Sequence, residues 1–194
     1  MISSKKTIPW WRFTVTFMLQ LAIVLIVPAK SAYTYKFGTQ AVLQTIPVDP
    51  YDLLRGYSQT LSYDISRTND LKQFPGEKNL TKGDTFYILL ELNLAEAKQP
   101  PTPSKIVKIS QEFPQDLTKS QVALKGEVTK YNRVSYGLET YYMPESQRKK
   151  INQEIRDLQR DSQGKRPFVV EIRVDRWGNS VPVSLWLEDK QYRF

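Results

Sequence analysis

FVVEIRVDRWGNSVPVSLWL, Phe168 to Leu187, is the stretch whose reading decides the fold. Side chains of an extended segment alternate between two faces, so Phe168, Val170, Ile172 and Val174 fall on one side of a strand, and Val181, Val183, Leu185 and Leu187 repeat the period. Between the two runs, Gly178-Asn179 follows Trp177, and both residue types tolerate the positive φ that a tight turn needs. Two strands joined this closely pair antiparallel.

The same period recurs outward along the chain. Ala41 to Ile46, Leu61/Tyr63/Ile65, the run Phe86, Ile88, Leu90, Leu92, Leu94, then Lys105 to Ser110 and Gln121 to Lys130 all read as strands. Val134, Tyr136, Leu138, Thr140 and Tyr142 give another, reached through a turn at Asn132-Arg133. One helix interrupts them: Pro144 suits a first turn, Ile151, Ile155 and Leu158 make a single apolar stripe, and Gly164 and Pro167 stop it. Thr68 to Asp84 reads as a loop, and Ala95 to Ser104, with Pro100, Pro101 and Pro103, as an extended polyproline-II strap. The predicted fold is α+β and mostly antiparallel β, with about eight strands and one amphipathic helix, behind a single N-terminal transmembrane helix.

That helix is read from Trp10 to Ala29, whose polar members are Arg12, Thr14, Thr16 and Gln20. About 20 such residues cross a ~30 Å hydrocarbon layer at 1.5 Å each. Trp10, Trp11 and Phe13 stand at one boundary and Tyr33, Tyr35 and Phe37 beyond the other, as in the aromatic belts of a spanning helix. Lys5, Lys6 and Arg12 place the N-terminus in the cytoplasm by the positive-inside rule, with Lys30 and Lys36 reducing the asymmetry. Residues 1–9 are then a cytoplasmic N-terminus, 10–29 the anchor, 30–39 a juxtamembrane linker, and 40–194 one domain on the non-cytoplasmic side. A cleaved signal peptide is the competing reading, because Ala29-Lys30-Ser31 fits a small-x-small site after the apolar core. Pro28 and the two belts speak for retention.

Composition excludes more than it assigns. The 194 residues suit one domain. The net charge of +8 falls to +4 from Tyr33 onward, 24 Lys and Arg against 20 Asp and Glu, and is spread without a basic arm, so no nucleic-acid footprint is expected. With no Cys and no His, zinc sites of thiolate or imidazole, cysteine nucleophiles, Ser-His-Asp triads and disulfides are impossible within the chain. No cofactor and no metal are expected.

Two stretches concentrate the candidate residues. In Asp49-Pro50-Tyr51-Asp52-Leu53-Leu54-Arg55-Gly56, Asp49 reads as an N-cap before Pro50 and Gly56 as a positive-φ stop, with Arg55 pairing to Asp52 or Asp49. The functional alternative has Arg55 offer its planar fork to an anion. In the second, Glu139 and Tyr141 share the strand face opposite Tyr136 and Tyr142. Glu139 is then either a solvated strand residue or, with Arg55, part of a polar pocket. A Ser-Lys hydrolase lacks its Ser-Met-x-Pro motif, and although Ser58 beside Tyr57 is a conceivable nucleophile, no Lys is spaced to serve it. The acids Asp64, Glu139 and Asp175 do not single out a glycosidase pair, and Asn79-Leu80-Thr81 matches a glycosylation triplet weakly.

IPVDPYDLLRGYSQTLSY, Ile46 to Tyr63, resembles the motif of the GDYXXLXY family after its V-D-P-x-D-L-x-R-G lead. Gly56, Leu61 and Tyr63 match, whereas Tyr57 stands where the family has Asp and Ser58 where it has Tyr, so a role of that acid does not carry over. YGLETYYMPE, Tyr136 to Glu145, is similar to a second family segment. The resemblance implies a membrane-anchored protein without assigned activity, whose partner besides membrane lipid is another, polytopic membrane protein. Tyr57, Tyr141 and Trp186 supply residue types that anchor such interfaces. Asp49, Asp52, Arg55, Gly56, Tyr57, Glu139 and Tyr141 are the interaction or ligand candidates. The expected role is an extracytoplasmic accessory module, with a hydrolase or small anionic-ligand binder as the alternative.

Overall fold

The structure, a computed structural model, describes residues 10–46, 58–60, 62–76, 80–93, 99–142, 150–151, 153–155, 157–158 and 168–193. It opens with α1, Trp10–Phe37, 28 residues and about 42 Å long at 1.5 Å per residue. Pro28 lacks the N–H that would bond one turn back, yet the helix continues through it. Residues 30–37, expected as a linker, are therefore helical. The reason is tertiary: this end packs on the domain, and Thr34 is buried there. Gly38 closes the last turn through its N–H to the Thr34 carbonyl at 2.8 Å.

The strands follow as β1 (Thr39–Ile46), β2 (Ser58–Thr60), β3 (Ser62–Tyr63), β4 (Thr85–Glu91), β5 (Lys105–Ser110), β6 (Gln121–Val128), β7 (Val134–Ser135), β8 (Thr140–Tyr142), β9 (Phe168–Val174), β10 (Ser180–Leu187) and β11 (Lys190–Arg193). A five-stranded sheet runs β11-β10-β9-β1-β3 and a four-stranded sheet β5-β4-β6-β7, every pair antiparallel, while β2 and β8 form a separate ladder. The core lies between the two sheets: Ala41, Leu43, Val170, Ile172 and Leu185 from one meet Phe86, Ile88, Leu90 and Leu124 from the other. The described helical residues 150–151, 153–155 and 157–158, α3, add Ile151 and Ile155 to that core, with Leu158 packed partly against it, as the apolar stripe predicts; the expected ends at Pro144 and at Gly164 and Pro167 lie outside the described residues.

Several sequence expectations change in detail. Pro182 cannot donate to the ladder, and the β9–β10 register slips between Pro182 and Ser184. The slip puts Ser180, Pro182, Leu185 and Leu187 opposite the inward residues of β9, so Val181 and Val183 do not share the core face of Leu185 and Leu187. The expected strand from Val134 to Tyr142 is two short ones, because Gly137 takes φ +75° and bends the chain between them. The turn expected at Asn132-Arg133 falls one residue earlier, with Tyr131 at φ 60° and Asn132 at φ 55°. A four-residue helix, α2, Thr68–Leu71, stands where a loop was read, and it buries Leu71. The proline segment is held by Ser104, whose N–H reaches the Val42 carbonyl at 2.8 Å and whose hydroxyl accepts the Val42 N–H at 3.1 Å. It thereby covers the part of the β1 edge that β3 leaves open.

Candidate functional site

The last two turns of α1 sit on the β9–β10 turn, Asp175 to Asn179. Asp175 bonds its N–H to the Asn179 carbonyl at 2.9 Å, Gly178 donates back to the Asp175 carbonyl at 3.0 Å, and Gly178 takes a φ of +85°, the positive sign that its place in the turn suggests. A side chain at Gly178 would also press on β6, its Cβ lying 3.0 Å from the Ala123 carbonyl oxygen. This turn aims the Asp175 carboxylate inward, where it accepts the backbone N–H groups of Trp177 and Asn179, both at 2.9 Å, and the Asn179 side-chain amide. Its remaining partner comes from the helix: the Thr34 hydroxyl donates to Asp175 Oδ2 at 2.9 Å, with the Lys30 carbonyl 3.2 Å away. Both residues are buried, Thr34 at 1% exposure and Asp175 at 4%. Burial alone would raise the Asp175 pKa, but the hydrogen bonds from Asn179, Trp177 and Thr34 together outweigh it and hold the carboxyl below its ordinary value.

Around this buried pair the contacts are aromatic and cationic. The Tyr33 ring lies 5.7 Å from Trp177 and 5.1 Å from Phe37, and the Arg176 guanidinium stands 4.2 Å over the Trp177 ring. Arg173 Nη1 donates to the Gly38 carbonyl at 3.1 Å, and a Cβ at Gly38 would come within 2.5 Å of the Thr34 oxygen. On the other flank of α1 opens a cleft of about 380 Å³, lined by Lys30, Ser31 and Thr34 of the helix and by both sheets, including Lys125, Glu127 and Asn179.

The residues nominated from sequence fall elsewhere. Asp49, Asp52, Arg55, Gly56 and Tyr57 lie outside the described residues. Glu139 is engaged locally: Oε1 accepts the Tyr136 N–H at 2.5 Å and Oε2 the Ser135 hydroxyl at 3.2 Å, closing the Gly137 bend. Tyr141 is a β8 residue paired with Gln59 of β2. That ladder joins the two stretches that carry the family resemblance, Ser58–Thr60 to Thr140–Tyr142. Buried tyrosines lock the same two regions: the Tyr63 hydroxyl donates to the Leu138 carbonyl at 2.9 Å, and the Tyr136 hydroxyl to the Ile65 carbonyl at 2.7 Å. Burial, then the charges of Glu139 and Asp70, raise the Tyr136 pKa well above its ordinary value, so it stays a donor.

The chain belongs to the GDYXXLXY family. The family match runs over residues 20–185, taking in the end of α1 and both motif stretches. No curated protein and no solved structure matches the chain. In this family member, the described parts of the two motifs form a structural joint between segments far apart in sequence. Trp186, expected as an interface aromatic, is only 5% exposed because it packs with Val42 and Val169 on the second face of the five-stranded sheet. Among the described residues beyond α1, the large exposed aromatics are Tyr131 and Trp177.

Two further polar clusters are structural in character. Glu171 accepts from Ser184, Gln40 and Gln191 across three neighbouring strands and the next, β1, β9, β10 and β11. Glu154 of α3 accepts from Tyr192 and Lys190 of β11; the Tyr192 bond, then Lys190, lower its pKa against a smaller opposing effect of burial. Burial and that same bond push the Tyr192 hydroxyl up to about 12. Among the described residues no group of three or more carboxylates is arranged to hold a metal ion.

Sequence reasoning missed Thr34, Asp175 and the cleft lysines as a site. The only signal was Asp175 followed by Gly178-Asn179, the pattern of a carboxylate that binds its own turn. Nothing near Thr34 in sequence announces its partner, which lies 141 positions away.

Proposed function

We propose that this protein is a membrane-tethered accessory module that presents its β-rich domain, on the non-cytoplasmic side, to a polytopic membrane protein. α1 is long and apolar enough to cross a membrane. The observation that carries the reading is the continuity of that helix into the seat on the β9–β10 turn. A flexible tether would only confine the domain near the bilayer, whereas a helix locked by Thr34 and Asp175 also fixes its orientation. Fixed orientation matters when the task is to meet one face of a neighbour in the same membrane, where shared confinement raises effective concentration. The orientation across the membrane rests on Lys5, Lys6 and Arg12. Lys125, Arg173 and Arg176 lie far from the span in sequence and do not enter that rule. A hydrolase or small-anion binder has less support, since both oxygens of Glu139 are engaged in their own turn.

Purification of the tagged full-length protein from its own membranes in mild detergent tests the reading. A polytopic protein should co-purify, and Tyr141→Ala should weaken the association while the fold persists. Recovery of the protein alone and monomeric overturns it. A reporter active only in the cytoplasm, fused after Phe194, should be silent; activity reverses the topology.

A further inference from the structure

The cleft beside α1 lies at a definable depth. The apolar stretch ends at Ala29, and about 20 residues at 1.5 Å consume the ~30 Å hydrocarbon layer. Lys30 and Ser31 therefore enter the headgroup layer, flanked by Tyr33, Tyr35, Phe37 and Trp177, the residue types of a membrane interface. This depth holds for either orientation of the chain.

At that level the cleft carries two ammonium groups, Lys30 and Lys125, and one carboxylate, Glu127. All three side chains are exposed, and none makes a hydrogen bond or ion pair among the described residues. Gly137, also in the lining, has nothing within 4 Å of where its Cβ would stand, which leaves that wall open. Towards the bilayer, Ile23, Ile26 and Val27 precede Lys30 by seven, four and three residues and so share its side of the helix. Each is exposed in the isolated chain.

We infer that this cleft binds the headgroup of a phospholipid bearing a primary ammonium, phosphatidylethanolamine, with its phosphate at Lys30 and Lys125, its ammonium at Glu127, and an acyl chain along Ile23, Ile26 and Val27. Charge arrangement selects the headgroup. The phosphodiester meets two cations, each able to make a charge-assisted hydrogen bond. The primary ammonium donates to Glu127, which a quaternary ammonium cannot do. The uncharged glycerol head of phosphatidylglycerol leaves Glu127 without a cation. The apolar strip distinguishes a lipid from free phosphate, which has no use for it. The inference rests on the membrane span and not on the accessory-module reading, so a missing protein partner leaves it standing.

Native mass spectrometry of the full-length protein, released from detergent micelles doped with one lipid at a time, tests it. Phosphatidylethanolamine should be retained in preference to phosphatidylglycerol and phosphatidylcholine. Lys30→Gln and Lys125→Gln should each weaken retention about tenfold, the factor that corresponds to losing one charge-assisted hydrogen bond. Glu127→Gln should abolish the preference over phosphatidylglycerol while lipid is still held. Thermal melting of each variant should match the parent, since these side chains have no partner among the described residues. Retention indifferent to headgroup, or unchanged in the double lysine variant, overturns the inference. Equal competition by inorganic phosphate reassigns the cleft to the free ion. Release of the protein from membranes by alkaline carbonate also overturns it, by removing the bilayer from the cleft.

Discussion

α1 is one continuous helix with two unlike halves. From Trp10 to Ala29 every residue is exposed, and no side chain touches the β domain through a hydrogen bond or ring contact among the described residues. From Lys30 to Phe37 the same helix has a buried hydroxyl bonded to Asp175 and a tyrosine ring set at a tilt against Trp177, both met by the β9–β10 turn, and Gly38 just beyond closes the helix onto its own Thr34 carbonyl. The first half is apolar and nonspecific, suited to lipid. The second is held by a few directional hydrogen bonds and ring contacts, which define one geometry between helix and domain. On the proposed function, anchoring and aiming are separate jobs on one element, and substitutions should separate them.

The largest effect is expected at Asp175. Asp175→Ala strips the acceptor from the Thr34 hydroxyl and two backbone N–H groups, and should destabilise the domain by on the order of 3 kcal/mol, read from chemical denaturation in detergent. The same residue sets an acid limit. Its folded pKa lies below the ordinary 3.8, so its contribution is present above that value and is lost as pH falls through the lower folded one. Stability that is flat down to pH 2 would contradict the assignment.

Gly38→Val comes next. Its Cβ would lie 2.5 Å from the Thr34 oxygen and 3.0 Å from the Arg173 Cβ, so the helix end must shift, at a cost of about 2 kcal/mol. Amide exchange should show lost protection across residues 34–38 while β4 and β6 keep theirs. Thr34→Val removes only the hydroxyl and should cost about 1 kcal/mol, with Thr34→Ser recovering most of it. If Ser and Val behave alike, packing and not the hydrogen bond holds the seat. In the apolar half, Val24→Ala should change domain stability by less than about 0.5 kcal/mol. A larger loss would mean that this half also packs on the domain.

How much the sequence reveals follows the same division. Period-2 runs such as Phe168 to Val174 and Phe86 to Leu90 declare strands because one face must be buried, and the structure buries it. β11, Lys-Gln-Tyr-Arg, is short and polar and gave no such signal; it is stabilised as the edge partner of β10. The slip at Pro182 was legible in principle, since proline inside a strand implies a bulge or an edge. The helical state of residues 30–37 was not, because Tyr, Thr and Lys there neither demand nor forbid a helix and the deciding contacts come from residues 173–177. The motif at Gly56 to Tyr63 was visible as a pattern, but Tyr63 owes its place to a carbonyl 75 positions later, which one-dimensional reading does not supply.

The central claim is that span and domain move as one body. Because the chain has no Cys, a pair of spin labels can be placed cleanly at Val24→Cys in α1 and Lys108→Cys in β5, both exposed positions. Double electron–electron resonance on the protein in lipid nanodiscs should give a single narrow distance distribution, and Asp175→Ala in that background should broaden it. A broad distribution in the parent, unchanged by Asp175→Ala, would mean that α1 is a loose tether and that the seat does not aim the domain.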